Sequence, residues 1–301
     1  MSESGAPNTR PLQTIPNSAS RPLLEELREG MAELWQFRDM LYQLTLRDIR
    51  IKYKQAVLGF GWAVFMPLII VGAGSLIRFA MMRVNNAPIQ LSTIAALSIK
   101  ALGWSFFVGT ISFATSSLTG NTQLVTKVYF PRAVLPLSST LAQAFDSAIG
   151  AGVLTLVLPL LGARLSGALA WVPLLMLLLF LLTLASSLFL SCANLFYRDV
   201  KYIVQVLLTF GIFFTPVFYE PAMLGPRLSV LCMLNPLAPL LEGLRLAIVE
   251  GHPLLVPVTA ASGALSWSPW FLLYSALWAT VGLLASAALF HRAEFVFAEY
   301  A

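Results

Sequence analysis

The chain has 301 residues, of which 58% are hydrophobic and only 11% are charged, and its mean hydropathy is +0.79. Soluble globular domains carry about 25% charged residues, so this composition excludes a soluble protein built around one aqueous core. It indicates an integral membrane protein, with length for about six spans of about 20 residues each. The net charge of +5 follows from membrane orientation, as shown below, and requires no nucleic-acid partner.

The segment ahead of the first apolar run divides into two parts. Residues 1–22 are rich in Ser, Pro and Asn, which predicts a disordered cytoplasmic tail rather than a secretory signal. Residues 23–54 place apolar and charged positions at helical spacing, which predicts an amphipathic helix. Such a helix could pack on a partner as an ordinary soluble helix, but we favour one that lies on the cytoplasmic leaflet. It ends in a basic cluster suited to anionic head groups: Arg47, Arg50, Lys52 and Lys54.

Residues 55–292 are predicted to form an all-α transmembrane domain with both termini in the cytoplasm. Thirteen of the 19 Lys and Arg residues fall on one side of a six-span topology, and the positive-inside rule makes this side cytoplasmic. Residues 293–301 then form a cytoplasmic tail. The predicted spans are about Ala56–Ile77, Leu91–Leu118, Ala133–Leu161, Ala168–Phe196, Val200–Tyr219 and Trp267–Phe290.

Residues 220–266, between the fifth and sixth spans, contain one further apolar stretch at 228–249. A seventh crossing there would include an Asn-Pro break, another proline and two charges, and it would move the C-terminus outside. We therefore predict a re-entrant helical hairpin that enters the outer leaflet from the exterior, with its irregular backbone covered by protein or water. Glu242 and Arg245, three residues apart, are expected to form a local ion pair.

The connection between the second and third spans, residues 119–132, is longer than a simple turn requires. Its mixture of apolar and basic residues predicts a short amphipathic helix at the membrane surface. This helix is either an interfacial anchor or a docking site for a soluble partner, and its cytoplasmic position favours docking. The residues concerned are Leu124, Val125, Lys127, Val128, Tyr129, Phe130 and Arg132.

Five motifs in a fixed order make the chain resemble the permeases of ABC-2 type exporters for polysaccharides and polyol phosphates. The resemblance covers roughly residues 30–300 and includes the C-terminal run FHRAEFVFAEY. The motifs are KYKQAVLGFGWAVFMPL (52–68), NTQLVTKVYFPRAVLP (121–136), NLFYRD (194–199), TPVFY (215–219) and LNPLAPLLEGLR (234–245).

The resemblance implies a homodimer that works with two copies of a separate ATPase. The chain has no glycine-rich loop that ends in Gly-Lys-Ser/Thr, so ATP and Mg²⁺ are expected on the ATPase and no cofactor on this chain. Residues 119–132 correspond to the family's coupling helix, and the turn at 197–199 is expected to add a second contact. The implied coupling residues are Asn121, Leu124, Lys127, Tyr129, Phe130, Arg132, Arg198 and Asp199.

The expected substrate is a polysaccharide on a polyprenyl diphosphate carrier, such as O-antigen, moved across the bacterial inner membrane. The basic cluster at 47–54 could attract the diphosphate, although the positive-inside bias alone would also place charges there. Aromatic side chains stack on sugar rings, so the group near the end of the fifth span either lines the channel or forms an interfacial aromatic belt. This group consists of Phe213, Phe214, Phe218 and Tyr219.

Two ionisable residues fall inside predicted spans. Asp146 either lines a polar conduit or hydrogen-bonds to a neighbouring helix. Lys100 is expected to extend its ammonium group outward to the membrane surface.

Three alternatives to polysaccharide export stay open: an ABC-2 exporter of a drug or small amphiphile, a secondary transporter, and a membrane-embedded glycan-modifying enzyme. The enzyme is disfavoured because the two histidines are isolated, and we assign no catalytic or metal-binding residue.

Overall fold

A computed structural model describes residues 23–54, 59, 61–85, 91–161, 166–260 and 265–300 of the chain. The predicted tail at 1–22 therefore lies outside the described residues. The described part is mostly helical, with one two-stranded hairpin of β1 (Val258–Thr259) and β2 (Leu265–Trp267). The helices are α1 (Leu23–Gln36), α2 (Arg38–Tyr53), α3 (Gly61–Asn85), α4 (Leu91–Thr115), α5 (Thr122–Lys127), α6 (Val134–Val157), α7 (Val172–Phe196), α8 (Val200–Phe214), α9 (Gly225–Met233), α10 (Leu237–Arg245), α11 (Pro269–Glu294) and α12 (Phe297–Tyr300).

Among the described residues, four helical stretches are long and apolar enough to cross a membrane, and each matches a predicted span to within a few residues. Helix α8 is shorter, since 15 residues at 1.5 Å per residue give about 22 Å against a hydrocarbon layer of about 30 Å. The predicted fifth span is helical only to Phe214, because Thr215 is extended and precedes a proline. The four stretches are Leu91–Thr115, Val134–Leu161, Gly167–Phe196 and Pro269–Glu294.

The predicted first span begins at Ala56, which lies outside the described residues. Helix α3 covers that span from Gly61 and continues beyond its predicted end at Ile77 to Asn85.

The segment 23–54 forms two helices where the sequence predicted one. The break lies at Phe37, whose backbone (φ −93°, ψ 19°) leaves the α-helical region. Helix α2 then packs along the first half of α6. Ser138 Oγ donates to Asp48 at 3.0 Å, and further along both helices Lys52 Nζ donates to Gln143 at 2.8 Å. Helix α2 therefore contacts α6 at successive positions, and whether it lies on the cytoplasmic leaflet stays a prediction.

The larger apolar core lies where α4, α7, α10 and α11 meet. Helix–helix association in lipid depends on close packing rather than on the hydrophobic effect. Gly103 of α4 permits such packing, because a Cβ atom there would lie 2.5 Å from the Leu241 side chain of α10. A second core joins α2, α5, α6, α7 and α11 near residues 119–132.

The chain between α8 and α11 folds back against the spans. All nine residues of α10 are buried, and the break between α9 and α10 at residues 234–236 is held by polar side chains. Tyr274 Oη and Ser275 Oγ of α11 donate to the carbonyls of Leu234 and Pro236, each at 2.8 Å. Neighbouring hydroxyl groups thus satisfy two carbonyls at the break.

Candidate functional site

Residues 119–132, called the coupling segment below, contain only one short helix. A 3₁₀ turn at Thr119–Asn121 leads into α5, and the backbone becomes extended at Val128 (φ −119°, ψ 134°). Pro131 disfavours the α conformation only at the preceding residue, Phe130, and the helix has already ended at Lys127. The predicted amphipathic helix is limited to the six residues of α5. A non-helical stretch that begins at Val128 then leads to α6.

The coupling segment has an outward face and an inward face. Lys127 and Val128 are exposed, and 92% of the Tyr129 surface is accessible. Leu124 is half-buried, whereas Phe130 is only 4% exposed and belongs to the second core. Of the predicted coupling residues in this segment, Lys127 and Tyr129 are thus the ones whose side chains are exposed. Contact with a partner stays a prediction.

Two other predicted coupling residues are engaged within the chain. Asn121 Nδ2 donates to the Ser117 carbonyl at 2.8 Å, so it stabilises the end of the preceding turn. The Arg132 backbone N–H donates to the Glu294 carboxylate, and Arg132 Nη1 donates to the Glu294 carbonyl at 2.7 Å. Glu294 is the last residue of α11, and this contact was not predicted from the sequence, since 162 residues separate the two partners. Whether Asn121 and Arg132 also meet an ATPase stays a prediction.

The turn at 197–199 is exposed, and a buried residue ties it to the coupling segment. Asn194, at the end of α7, donates to the Thr115 carbonyl at 2.9 Å and to Thr119 Oγ1 at 3.3 Å. Its side-chain oxygen accepts from the Lys201 backbone N–H at 3.1 Å. One side chain therefore joins α4, the coupling segment and α8. Arg198 and Asp199 are exposed in the turn between α7 and α8, as a second docking contact requires.

The basic cluster at 47–54 contains some residues that are engaged within the chain and others that are exposed. Arg47 pairs with the adjacent Asp48, with Nη2 and Oδ1 2.9 Å apart. Lys52 contacts the Asp146 carboxylate and lies over the Phe113 ring, with 5.1 Å from Nζ to the ring centre. Arg50 and Lys54 are exposed. Only part of the predicted recruitment cluster is therefore directed away from the protein.

Asp146 of α6 is a binding point for α2. It is 4% exposed, and both Lys52 Nζ and Tyr53 Oη donate to its carboxylate. This contact supports the interpretation of Asp146 as a structural hydrogen-bond acceptor for a neighbouring helix. Its lining of a channel stays a prediction.

The aromatic group after the middle of α8 has two environments. Phe213 and Phe214 are exposed at the end of α8, whereas Phe218 packs on the larger core. Tyr219 is half-buried, and its hydroxyl donates to the Phe213 carbonyl at 3.1 Å. A channel-lining role for these four residues stays a prediction.

A chain of buried charges joins α4 to α10. Lys100 and Glu242 side chains are 2% and 0% exposed, with 2.6 Å between Nζ and Oε2. Glu242 Oε1 also accepts from Arg245 Nε at 2.9 Å and Nη2 at 2.7 Å, and Arg245 reaches Glu250. The predicted Glu242–Arg245 pair is confirmed. The prediction that Lys100 reaches the membrane surface is wrong, because a carboxylate on another helix compensates its charge inside the protein.

A cavity of about 690 Å³ lies beside these charges, with Thr93, Glu220, Arg245 and His252 in its wall. Among the described residues, no group of three or more His, Cys, Asp or Glu side chains is placed to hold a metal ion.

Helices long and apolar enough to span a membrane, with a buried charge cluster packed between them, define an integral membrane protein. The model of the ABC-2 type transporter family matches residues 40–249, and the chain belongs to this family. The resemblance drawn from the five sequence motifs is thereby confirmed. Family membership and the apolar helices identify a multi-pass protein of the bacterial inner membrane, a permease subunit rather than an enzyme.

Relatives extend the similarity beyond the family model. The O-antigen export system permease protein RfbA of Klebsiella pneumoniae is 27% identical over 214 residues, which are 71% of this chain and 81% of that protein. The protein of the same name from Myxococcus xanthus is 27% identical over 243 residues, 78% of this chain and 92% of that protein. The chain is thus similar over most of its length to permeases named for O-antigen export.

Proposed function

We propose that the chain is the membrane subunit of an ATP-driven exporter that moves a lipid-linked polysaccharide of the O-antigen type across the inner membrane. The observation that carries this proposal is the similarity, over 71% and 78% of the chain, to two permeases named for O-antigen export. Two copies of the chain work with two ATPase subunits, which bind ATP and Mg²⁺.

Six helices cross the membrane in this proposal: α3, α4, α6, α7, α8 and α11. Helices α9 and α10 form the re-entrant hairpin. Its support is the complete burial of α10 and the hydroxyl groups of α11 that satisfy the carbonyls at the break, both of which keep irregular backbone away from lipid. The short α8 then ends where this hairpin begins.

The end of the molecule that carries the coupling segment faces the cytoplasm. The distribution of Lys and Arg supports this orientation, since thirteen of 19 fall on that side of a six-span topology. Both termini then lie in the cytoplasm, together with the exposed turn at 197–199.

The second copy of the chain packs against α8. This helix buries Val204 and leaves most of its other side chains exposed, including large apolar ones. Most of α8 is therefore not covered by its own chain, and its aromatic end would meet the substrate path between the two copies.

The ATPase docks on the outward face of the coupling segment and on the turn at 197–199. Tyr129 offers an exposed aromatic ring, and Lys127 and Arg198 offer exposed cations. Lys127→Gln and Tyr129→Ala should each lower the amount of ATPase that co-purifies with the permease. Arg227→Gln, which removes an exposed cation from α9, is the matched control. Full ATPase recovery with both docking variants would contradict this surface.

The exposed cations Arg50 and Lys54 attract the diphosphate of the carrier lipid at the cytoplasmic leaflet. Phosphate groups accept charge-assisted hydrogen bonds from both residue types, which favours this role.

Export is tested in a strain whose own copy of the gene is deleted. Reintroducing the permease with its ATPase should restore the polysaccharide at the cell surface, and an ATPase variant that cannot hydrolyse ATP should leave lipid-linked polysaccharide inside. Unchanged surface polysaccharide in the deletion strain, accompanied by hypersensitivity to small amphiphiles, would overturn the substrate class and indicate a drug exporter. Surface polysaccharide that returns without ATP hydrolysis would overturn the ATP-driven mechanism.

A further inference from the structure

The coupling segment has a second layer of contacts behind its outward face, formed by the C-terminal end of the chain. Helix α12 packs against both α5 and α7. Phe297 of α12 is fully buried, with ring centres 5.0 Å from Phe290 of α11 and 6.0 Å from Phe196 of α7. The same core includes Val125 and Phe130, the inward residues of the coupling segment.

Arg132 connects this layer to the coupling segment by hydrogen bonds. Its backbone N–H and Nη1 donate to the carboxylate and to the carbonyl of Glu294, and its Nη2 reaches the Val125 carbonyl at 3.4 Å. The guanidinium group thus spans from α5 to the last residue of α11. A guanidinium group has several donors in a rigid plane, so it can hold two acceptors on different helices at once.

We propose that Arg132, Glu294 and Phe297 form an internal brace that transmits movement of the coupling segment to α11. The coupling segment is covalently joined only to α4 and α6, so a displacement imposed by an ATPase would otherwise reach those two spans directly. Asn194 links the coupling segment to α7, and the brace adds a path to the last span, α11, in which each link is a buried aromatic contact or a hydrogen bond. The three residues are positioning residues, since they act behind the surface that meets the partner.

This inference rests on the proposed ATP-driven export, and it separates docking from transmission. A docking residue, when altered, should reduce the recovery of ATPase. A brace residue should leave ATPase recovery and ATP hydrolysis in place and lower the amount of polysaccharide exported per ATP. Coupling between sites of this kind is typically about 5-fold or more, which sets the size of the expected loss.

The test compares Glu294→Ala and Phe297→Ala with their conservative counterparts Glu294→Gln and Phe297→Leu in the complete complex. Glu294→Gln keeps an oxygen that accepts the Arg132 N–H, and Phe297→Leu keeps an apolar group in the core. We expect both alanine variants to retain the ATPase and to lose about 5-fold or more of the export per ATP, while the conservative variants retain most of it.

Two results would overturn the brace while leaving the proposed function intact. One is unchanged export per ATP in both alanine variants, and the other is loss of ATPase recovery in parallel with export. Loss of polysaccharide export in every complex, including the wild type, would instead overturn the proposed function on which the brace rests.

Amide hydrogen exchange on the unaltered complex covers the case in which an alanine variant does not fold. Trapping the ATPase in its ATP-bound state should change exchange in residues 290–300 together with the coupling segment. A response confined to the coupling segment, α4 and α6 would overturn the brace.

Discussion

The buried ion pair between Lys100 and Glu242 makes a large, measurable prediction for stability. Glu242→Gln preserves the side-chain shape but removes the carboxylate that lies 2.6 Å from Lys100 Nζ and accepts two donors of Arg245. Arg245 retains Glu250, whereas Lys100 loses its ion pair while only 2% exposed. Removing one partner of a buried pair costs about 3–5 kcal/mol, and we expect this loss in the free energy of unfolding.

The double variant Lys100→Met/Glu242→Gln tests the cause of that loss. It removes both opposite charges and leaves the Arg245–Glu250 pair in place, so it should cost about 1–3 kcal/mol less than the sum of the two single variants. The free energy is measured by unfolding in mixed micelles with rising SDS, followed by circular dichroism. Arg227→Gln, an exposed cation on α9, should stay within about 0.5 kcal/mol of the wild type. The reasoning would be refuted if the double variant lost as much free energy of unfolding as the two single variants together. It would also be refuted if Glu242→Gln were as stable as the Arg227→Gln control.

Three further predictions concern the coupling end and α2. Asp146→Asn weakens the contacts that hold the end of α2, so trypsin should cleave faster within residues 47–54 and unfolding should cost about 1–3 kcal/mol less. Asn194→Ala removes hydrogen bonds that join α4, the coupling segment and α8, and should lower the free energy of unfolding by about 1–3 kcal/mol. Arg50→Gln combined with Lys54→Gln should lower polysaccharide export without lowering the amount of inserted protein.

The first two of these have a control in a described helix. Thr155→Ala removes an exposed hydroxyl from α6 without touching α2, and Gln205→Ala removes an exposed amide from α8. Equal tryptic cleavage for the Asp146 and Thr155 variants would contradict the first prediction, and an Asn194 variant as stable as the Gln205 variant would contradict the second. Wild-type export from the double Gln variant would remove the recruitment role of the exposed cations.

The four long spans could be predicted because length and hydropathy are local properties of the chain. The end of the fifth span could not, since the residues after Phe214 remain apolar although Thr215 and Pro216 end the helix. The break at Phe37 was likewise hidden, because the periodic pattern continues across it. Hydropathy reports which residues avoid water, but backbone conformation decides where a helix stops.

The charged partners could not be predicted because they are far apart in sequence. Lys52 contacts Asp146 across 94 residues, and Arg132 contacts Glu294 across 162. An ionisable residue inside a span indicates that a partner exists, but which of the other charges compensates it depends on helix packing. The coupling segment was recognisable, yet its division into outward and inward residues required the position of α12 behind it.

The Lys100–Glu242 pair also imposes an order on biogenesis. The ribosome makes α4 before α10, so Lys100 enters the membrane before its carboxylate exists. A lone Lys at the centre of a span costs about 2.5–3.5 kcal/mol on insertion, which the apolar remainder of α4 must offset until α10 arrives. A nascent chain that stops before α10 therefore keeps an uncompensated ammonium group in lipid. An incomplete chain of this kind therefore differs from the finished protein by one buried charge that has lost its partner.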